Sequence, residues 1–172
     1  MPEGVWLIGF IAIQRLAELV LARRNTQALL ARGGVEHGAR HYPLIVALHA
    51  AWLIGMAILG WDHPIDRFWL AVVVVLQFAR IWVICSLGPR WTTRIIILPG
   101  ASPVQAGPYR FLRHPNYVVV SLEIAAIPLA LGLTAFAAVF FVLNLLVLTV
   151  RIRAEDRALR AVAVGTPKLA NP

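Results

Sequence analysis

Gly4–Leu21, Tyr42–Leu59, Phe68–Leu87 and Asn116–Val150 are long apolar stretches with very few charges. At 1.5 Å per helical residue, each approaches or exceeds the roughly 30 Å of a bilayer core. A soluble domain of 172 residues has too little interior to hide that much apolar surface. Composition agrees: 60% apolar and 14% charged, against roughly 45–50% and about 25% in soluble domains. The pattern predicts an all-α integral membrane protein. The excess of 16 Lys+Arg over 8 Asp+Glu would suit a nucleic-acid partner, but almost all are arginines lying between the apolar runs. That placement reads as a topology signal and contact with lipid headgroups, so no nucleic-acid partner is expected. Cys85 stands alone inside an apolar run, with no partner for a disulfide or a thiolate metal site.

The first run follows only Met1-Pro2-Glu3, without the basic flank of a cleavable signal peptide, and reads as a retained helix. A polar stretch from Arg23 to His41 precedes the second run, and Trp61–Arg67 makes a short turn into the third. The segment Gly88–Pro115 is rich in proline and glycine and reads as a folded loop, within which Trp91–Leu98 runs extended along the membrane surface. Asn116–Val150 is too long for one helix and carries Pro128 and Gly132 near its middle, which predicts a tight helical hairpin with short arms. Its last helix continues past the bilayer until Gly165 and Pro167 stop it. Residues 1–77 thus hold N-terminal helices, 78–160 the core of a single membrane domain and 161–172 a tail.

Basic residues test a five-span arrangement. With the N-terminus outside, the inner segments hold Arg23, Arg24, Arg32 and Arg40, then Arg90, Arg94, Arg110 and Arg113, then Arg151, Arg153, Arg157, Arg160 and Lys168. The outer segments hold only Arg67. This bias predicts a cytoplasmic C-terminus, with the loop and the tail on the same side.

Ionisable side chains within a span need a partner, a wet cavity or a function. Arg15 and Glu18, three residues apart on one helix, read as a mutually neutralising pair. His49 reads as a hydrogen-bonded packing residue. Arg80 has no acid near it in sequence; a bridge to Glu123 and a grip on substrate both remain open. Asn144, Leu148, Arg151 and Glu155 share one face of the last helix. His37, His41, His49, His63 and His114 lack metal-ligand spacing, and no metal is expected. The alanines of the hairpin, Ala125, Ala126, Ala130, Ala135, Ala137 and Ala138, read mainly as close helix packing.

In Gly107-Pro108-Tyr109-Arg110-Phe111-Leu112-Arg113-His114-Pro115-Asn116-Tyr117, Gly107-Pro108 turns the chain and Pro115 opens a helix. Arg113 and His114 then stand beside helix N-terminal amides, a combination suited to an anionic or zwitterionic ligand. This string, an apolar hairpin after it and the acidic pair Glu155-Asp156 resemble the isoprenylcysteine carboxyl methyltransferase family of membrane enzymes. The similarity runs from about Phe78 to Leu159; the family pattern has two glutamates where Asp156 stands second here. Trp91-Thr92-Thr93-Arg94 and the small five-span body are similar to a bacterial branch linked to O-methylation of alkylpyrones.

The resemblance implies S-adenosyl-L-methionine as cofactor, bound on the cytoplasmic side by Tyr109, Arg113, His114, Pro115, Tyr117 and Glu155. It implies Arg80 and Arg151 as the arginines facing a substrate carboxylate or acidic enol. A prenyl- or alkyl-tailed substrate would reach them from the lipid, in what is expected to be a bacterial inner (plasma) membrane. An NADPH-dependent membrane reductase with a similar hairpin and a small membrane scaffold or transport subunit are the alternatives. Substrate identity and oligomeric state stay open.

Overall fold

The computed structural model describes residues 2–165. It is a bundle of five helices carrying one two-stranded ribbon: α1 (Glu3–Ala31), β1 (Val35–His37), α2 (Tyr42–Leu59), α3 (Arg67–Leu87), β2 (Ile95–Ile97), α4 (Pro115–Ala130) and α5 (Thr134–Gly165). Short 3₁₀ turns occupy Ala39–His41, Gly88–Arg90 and Gly107–Arg110. Four helices are long and apolar enough to cross a membrane, and α4 is a shorter apolar helix. Large apolar side chains such as Trp6, Phe10, Ile13, Ile58, Phe78 and Leu146 point outward, as they must where the solvent is hydrocarbon.

The expected hairpin is present, with one difference in length. Only the α4 arm is short, about 24 Å at 1.5 Å per residue; α5 runs for 32 residues. The described part of α5 ends at Gly165, and Pro167 and Lys168 lie outside the described residues. The turn closes through Leu131 and Leu133 N–H groups donating to Pro128 O and Gly132 N–H to Leu129 O. Gly132 takes φ +71°, a conformation open to glycine at no steric cost. Pro128 cannot donate to the carbonyl of Ile124 one turn back. The fully buried Trp52 supplies the missing donor, its Nε1 lying 3.1 Å from Ile124 O.

Helix α4 is the centre of the bundle, packed between α3 and α5 with Ser121, Glu123, Ile124, Ala126, Ile127 and Ala130 buried. Ala126, Ala130 and Ala137 are buried as close-packing residues, whereas Ala135 and Ala138 are exposed. His49 Nδ1 bonds Ile45 O at 2.9 Å within α2, the packing role read from the sequence.

Two expectations are sharpened. Helix α1 does not stop where its apolar run stops near Leu21; it continues through the arginines to Ala31. Of the extended stretch Trp91–Leu98, only Ile95–Ile97 forms a strand, and it pairs antiparallel with Val35–His37, a strand not predicted.

The loops separate between the two ends of the bundle. At one end Gly4 N–H donates to His63 O, Asp66 N–H to Ala130 O, and Arg67 pairs with Glu3. At the other, Asn25 Nδ2 donates to Gly88 O and Trp91 O, tying α1 to the long loop, and the ribbon packs on α5. The arginine-rich segments therefore gather at one end, and Arg67 lies at the opposite one.

Candidate active site

At the arginine-rich end, the start of α4 meets the distal half of α5. Gly107-Pro108 forms a 3₁₀ turn with Pro108 buried, which brings Tyr109 inward and delivers the chain to Pro115 at the first position of α4. One turn into α4, the Tyr117 hydroxyl donates to Glu155 Oε2 at 2.5 Å and accepts from Arg151 Nε at 2.9 Å. The i, i+4 spacing of Arg151 and Glu155 on α5 places both on the side that faces Tyr117. The His114 ring stacks on the Tyr117 ring with centroids 5.3 Å apart and planes 17° off parallel. Its Nδ1 lies 3.9 Å from Glu155 Oε2 and its Nε2 3.9 Å from Asp156 Oδ1, so each imidazole nitrogen faces one carboxylate.

Packing beneath this cluster fixes its geometry. Asn144, 1% exposed, donates through Nδ2 to Ser121 Oγ at 3.0 Å, and Ser121 Oγ donates to Tyr117 O at 2.8 Å. The polar face read along α5 is thus continuous, and Asn144 holds the two hairpin arms in register below Tyr117. Burial, with the negative charge of Glu155 nearby, pushes the Tyr109 phenol up to about 12, which keeps it a protonated donor through the neutral range.

The cluster is unsaturated. Among the described residues, Arg151 Nη1 and Nη2 and Glu155 Oε1 have no hydrogen-bond partner, and Asn116 Oδ1 is buried without one. Arg113 is exposed and forms no ion pair among the described residues, so the structure does not join it to this group.

Arg80 lies in a second cluster, inside the bundle. Its Nε and Nη2 donate to Glu18, the latter at 2.5 Å, and its Nη1 donates to Glu123 Oε2 at 2.9 Å. Arg15 donates to Glu18 Oε2 at 2.9 Å and to Glu123 Oε2 at 2.8 Å. Gln14 and Gln77 add bonds to Glu18 and Glu123 at 3.0 and 3.2 Å. Two arginines and two glutamates from α1, α3 and α4 therefore neutralise one another. Of the two readings open for Arg80, the geometry shows the bridge to Glu123, with Glu18 as a second partner that spacing did not reveal. Each Arg80 nitrogen donates to a glutamate, which uses three of its five N–H donors, while Arg15 Nε and Gln14 Oε1 beside it are buried without a partner among the described residues.

Two cavities of about 430 Å³ lie outside the Tyr117 cluster. One is an apolar groove between α1 and α3, bounded by Trp6, Phe10, Val74 and Phe78 and reaching Gln77. The other lies among α1, the ribbon and the start of α2.

Residues 69–161, which contain α3 from its third residue, the long loop, α4 and the described side chains of α5, match the isoprenylcysteine carboxyl methyltransferase (ICMT) family. The chain belongs to the ICMT family. Its relatives include an uncharacterized protein of Bacillus subtilis, YpbQ, 39% identical over 163 residues, covering 92% of this chain and 97% of the relative. An uncharacterized protein of Haemophilus influenzae is 28% identical over 156 residues, covering 84% and 88%. No solved structure matches the chain significantly. ICMT membership implies a membrane methyltransferase in general terms, and methyltransferases of the family use S-adenosylmethionine. The family match includes Arg80 and Glu123 but stops short of Arg15 and Glu18, so half of the buried quartet comes from the N-terminal helix.

Proposed function

We propose that this chain is an S-adenosyl-L-methionine-dependent O-methyltransferase that modifies a carboxylate or acidic enol on a prenyl- or alkyl-tailed substrate. The observation that carries the reading is the unsaturated Arg151–Tyr117–Glu155 relay beside His114. The donor set suits the cofactor. A zwitterionic amino acid with ribose hydroxyls needs carboxylates for its ammonium and hydroxyls, which Glu155 and Asp156 provide. It also needs donors and an aromatic face, which Tyr109 and the His114–Tyr117 stack provide. Pro115 fixes the first turn of α4 on which His114 and Tyr117 stand.

When bound, the cofactor would supply an electrophilic methyl group for in-line attack by oxygen. The protein's part is alignment, which can supply several kcal/mol on its own. Arg151 is held by Tyr117 through Nε, leaving both Nη atoms to pair with a substrate oxyanion. Contact with the oxygen that is not methylated would orient the nucleophile without neutralising it. A carboxylate or acidic enol is ionised at neutral pH, so the site requires no strong general base. We assign Arg80, buried and ion-paired with Glu18 and Glu123, to positioning α3 against α4. A tailed substrate partitions into the bilayer at ~0.8 kcal/mol per buried CH₂, which brings its head to the end of the bundle where the relay lies. The arginine bias favours the cytoplasm for that end, where the cofactor is made. An alkylpyrone is one member of the substrate class.

The test is transfer of labelled methyl from S-adenosylmethionine, in membranes containing the protein, to extractable lipophilic acceptors, followed by alkali. Label released as methanol marks a carboxyl ester, and label that resists alkali marks an enol ether. Absence of transfer to either class would overturn the reading.

A further inference from the structure

We propose that the cavity among α1, the β1–β2 ribbon and the start of α2 binds the phosphate of an anionic phospholipid headgroup. The cavity, about 430 Å³, is lined by Arg23, Thr26 and Gln27 of α1, Tyr42 of α2, and Thr93 and Arg94 of the long loop. On α1 the lining positions Leu19, Arg23, Thr26, Gln27 and Leu30 fall at i, i+4, i+7, i+8 and i+11, a single face of the helix. The polar part of that face is bracketed by apolar residues. Leu19 and Leu30 flank it along α1, and Val46 flanks it from α2, with Leu30 and Val46 exposed.

The charge balance favours an anion. Glu36 is the carboxylate lining the cavity, and it is engaged by Arg94, whose Nη1 donates to Oε1 at 2.8 Å and to Oε2 at 3.0 Å. Arg23 forms no ion pair among the described residues, so the lining carries a net positive charge. Arg94 is also oriented. Its guanidinium lies 4.6 Å from the centroid of the Tyr42 ring, and the Tyr42 hydroxyl is 3.1 Å from Thr93 Oγ1. With Nη1 taken by Glu36, Nη2 and Nε of Arg94 have no hydrogen-bond partner among the described residues, leaving two donors of a planar fork suited to phosphate oxygens. Thr93, Tyr42 and Thr26, each with a hydroxyl, line the same cavity.

Position selects a lipid over a soluble anion. Arg23 is the first charged residue after the apolar run of α1, and Tyr42 opens the apolar run of α2. The cavity thus straddles the level where hydrocarbon gives way to headgroups, with exposed apolar side chains on the flanks for the acyl chains. The inference is independent of the methyltransferase reading.

Native mass spectrometry of the full-length protein in detergent tests it, with phosphatidylglycerol and a diacylglycerol of identical acyl chains as probes. The wild type is expected to retain phosphatidylglycerol and release diacylglycerol. Arg23→Gln is expected to lower retention about fivefold, with Arg23→Lys restoring most of it. Arg94→Gln is expected to lower retention as well, and it decides the matter should Arg23→Gln fail to fold. Equal retention of the two lipids, or wild-type retention in folded Arg23→Gln or Arg94→Gln, would overturn the proposal. Displacement of the lipid by millimolar inorganic phosphate would overturn it in favour of a soluble-anion site.

Discussion

The two charged clusters both join arginine to glutamate and differ in burial and in how their arginines are paired. In the interior cluster Arg15, Arg80, Glu18 and Glu123 sum to zero charge and bond one another across three helices. Glu123 is 0% exposed and Arg80 5%, and each of the Arg80 nitrogens is used. At the end of the bundle, the side chains of His114 and Glu155 are 24% and 27% exposed, and Arg151 and Glu155 each keep hydrogen-bonding capacity unused by the protein. A buried, charge-neutral cluster in hydrocarbon holds helices together, and the Arg15 Nε and Gln14 Oε1 atoms left without a partner among the described residues are closed off from solvent. A partly exposed cluster at the membrane boundary can bind. Arginine in a span is therefore a weak guide to a site until its partners are counted.

Breaking the interior cluster is expected to have the largest effect. Glu123→Ala leaves Arg15 and Arg80 short of a counter-charge and should cost about 3–5 kcal/mol, read as a large fall in unfolding temperature in detergent. An unchanged unfolding temperature would remove the distinction between the clusters. Glu155→Ala should leave that temperature nearly unchanged while weakening cofactor binding by about tenfold to a hundredfold, the range for a lost hydrogen bond to a charged group. Arg151→Gln sharpens the assignment within the site: cofactor affinity is expected to hold within a few-fold while catalytic turnover of the tailed substrate falls. Tyr117→Phe keeps the stack on His114 and deletes only the hydroxyl linking Arg151 to Glu155, so a loss of roughly two- to tenfold in cofactor affinity is expected. Arg67→Ala, removing an ion pair exposed on both sides, should change stability by less than ~1 kcal/mol.

The helices and the hairpin were legible because apolar length and the Pro128–Gly132 break are local signals. The end of α1 was not, since an apolar run marks where lipid ends and says nothing about where helical hydrogen bonding ends. Strand β1 is three residues, Val35–His37, with one β-branched residue, and it exists only because Ile95–Ile97 lies beside it. The Arg15–Glu18 pair could be read from its spacing. Its extension to Arg80 and Glu123 could not, because those partners are 62 and 108 positions away. The Tyr117–Glu155 contact spans 38 positions and came within reach through the resemblance of the surrounding motif alone. The approach of Asp156 to His114 Nε2, at 3.9 Å, was missed. Its signal was present in the adjacency of two acids, since neighbouring helix positions diverge enough to meet both nitrogens of one ring.

Isothermal titration of the detergent-purified protein with S-adenosylhomocysteine, beside Glu155→Ala and with NADPH titrated in parallel, tests the central claim most directly. Binding in the micromolar range by the wild type, lost in folded Glu155→Ala and absent for NADPH, is the predicted result. No heat with S-adenosylhomocysteine, or equal affinity in Glu155→Ala, would contradict the assignment of the relay as the cofactor site.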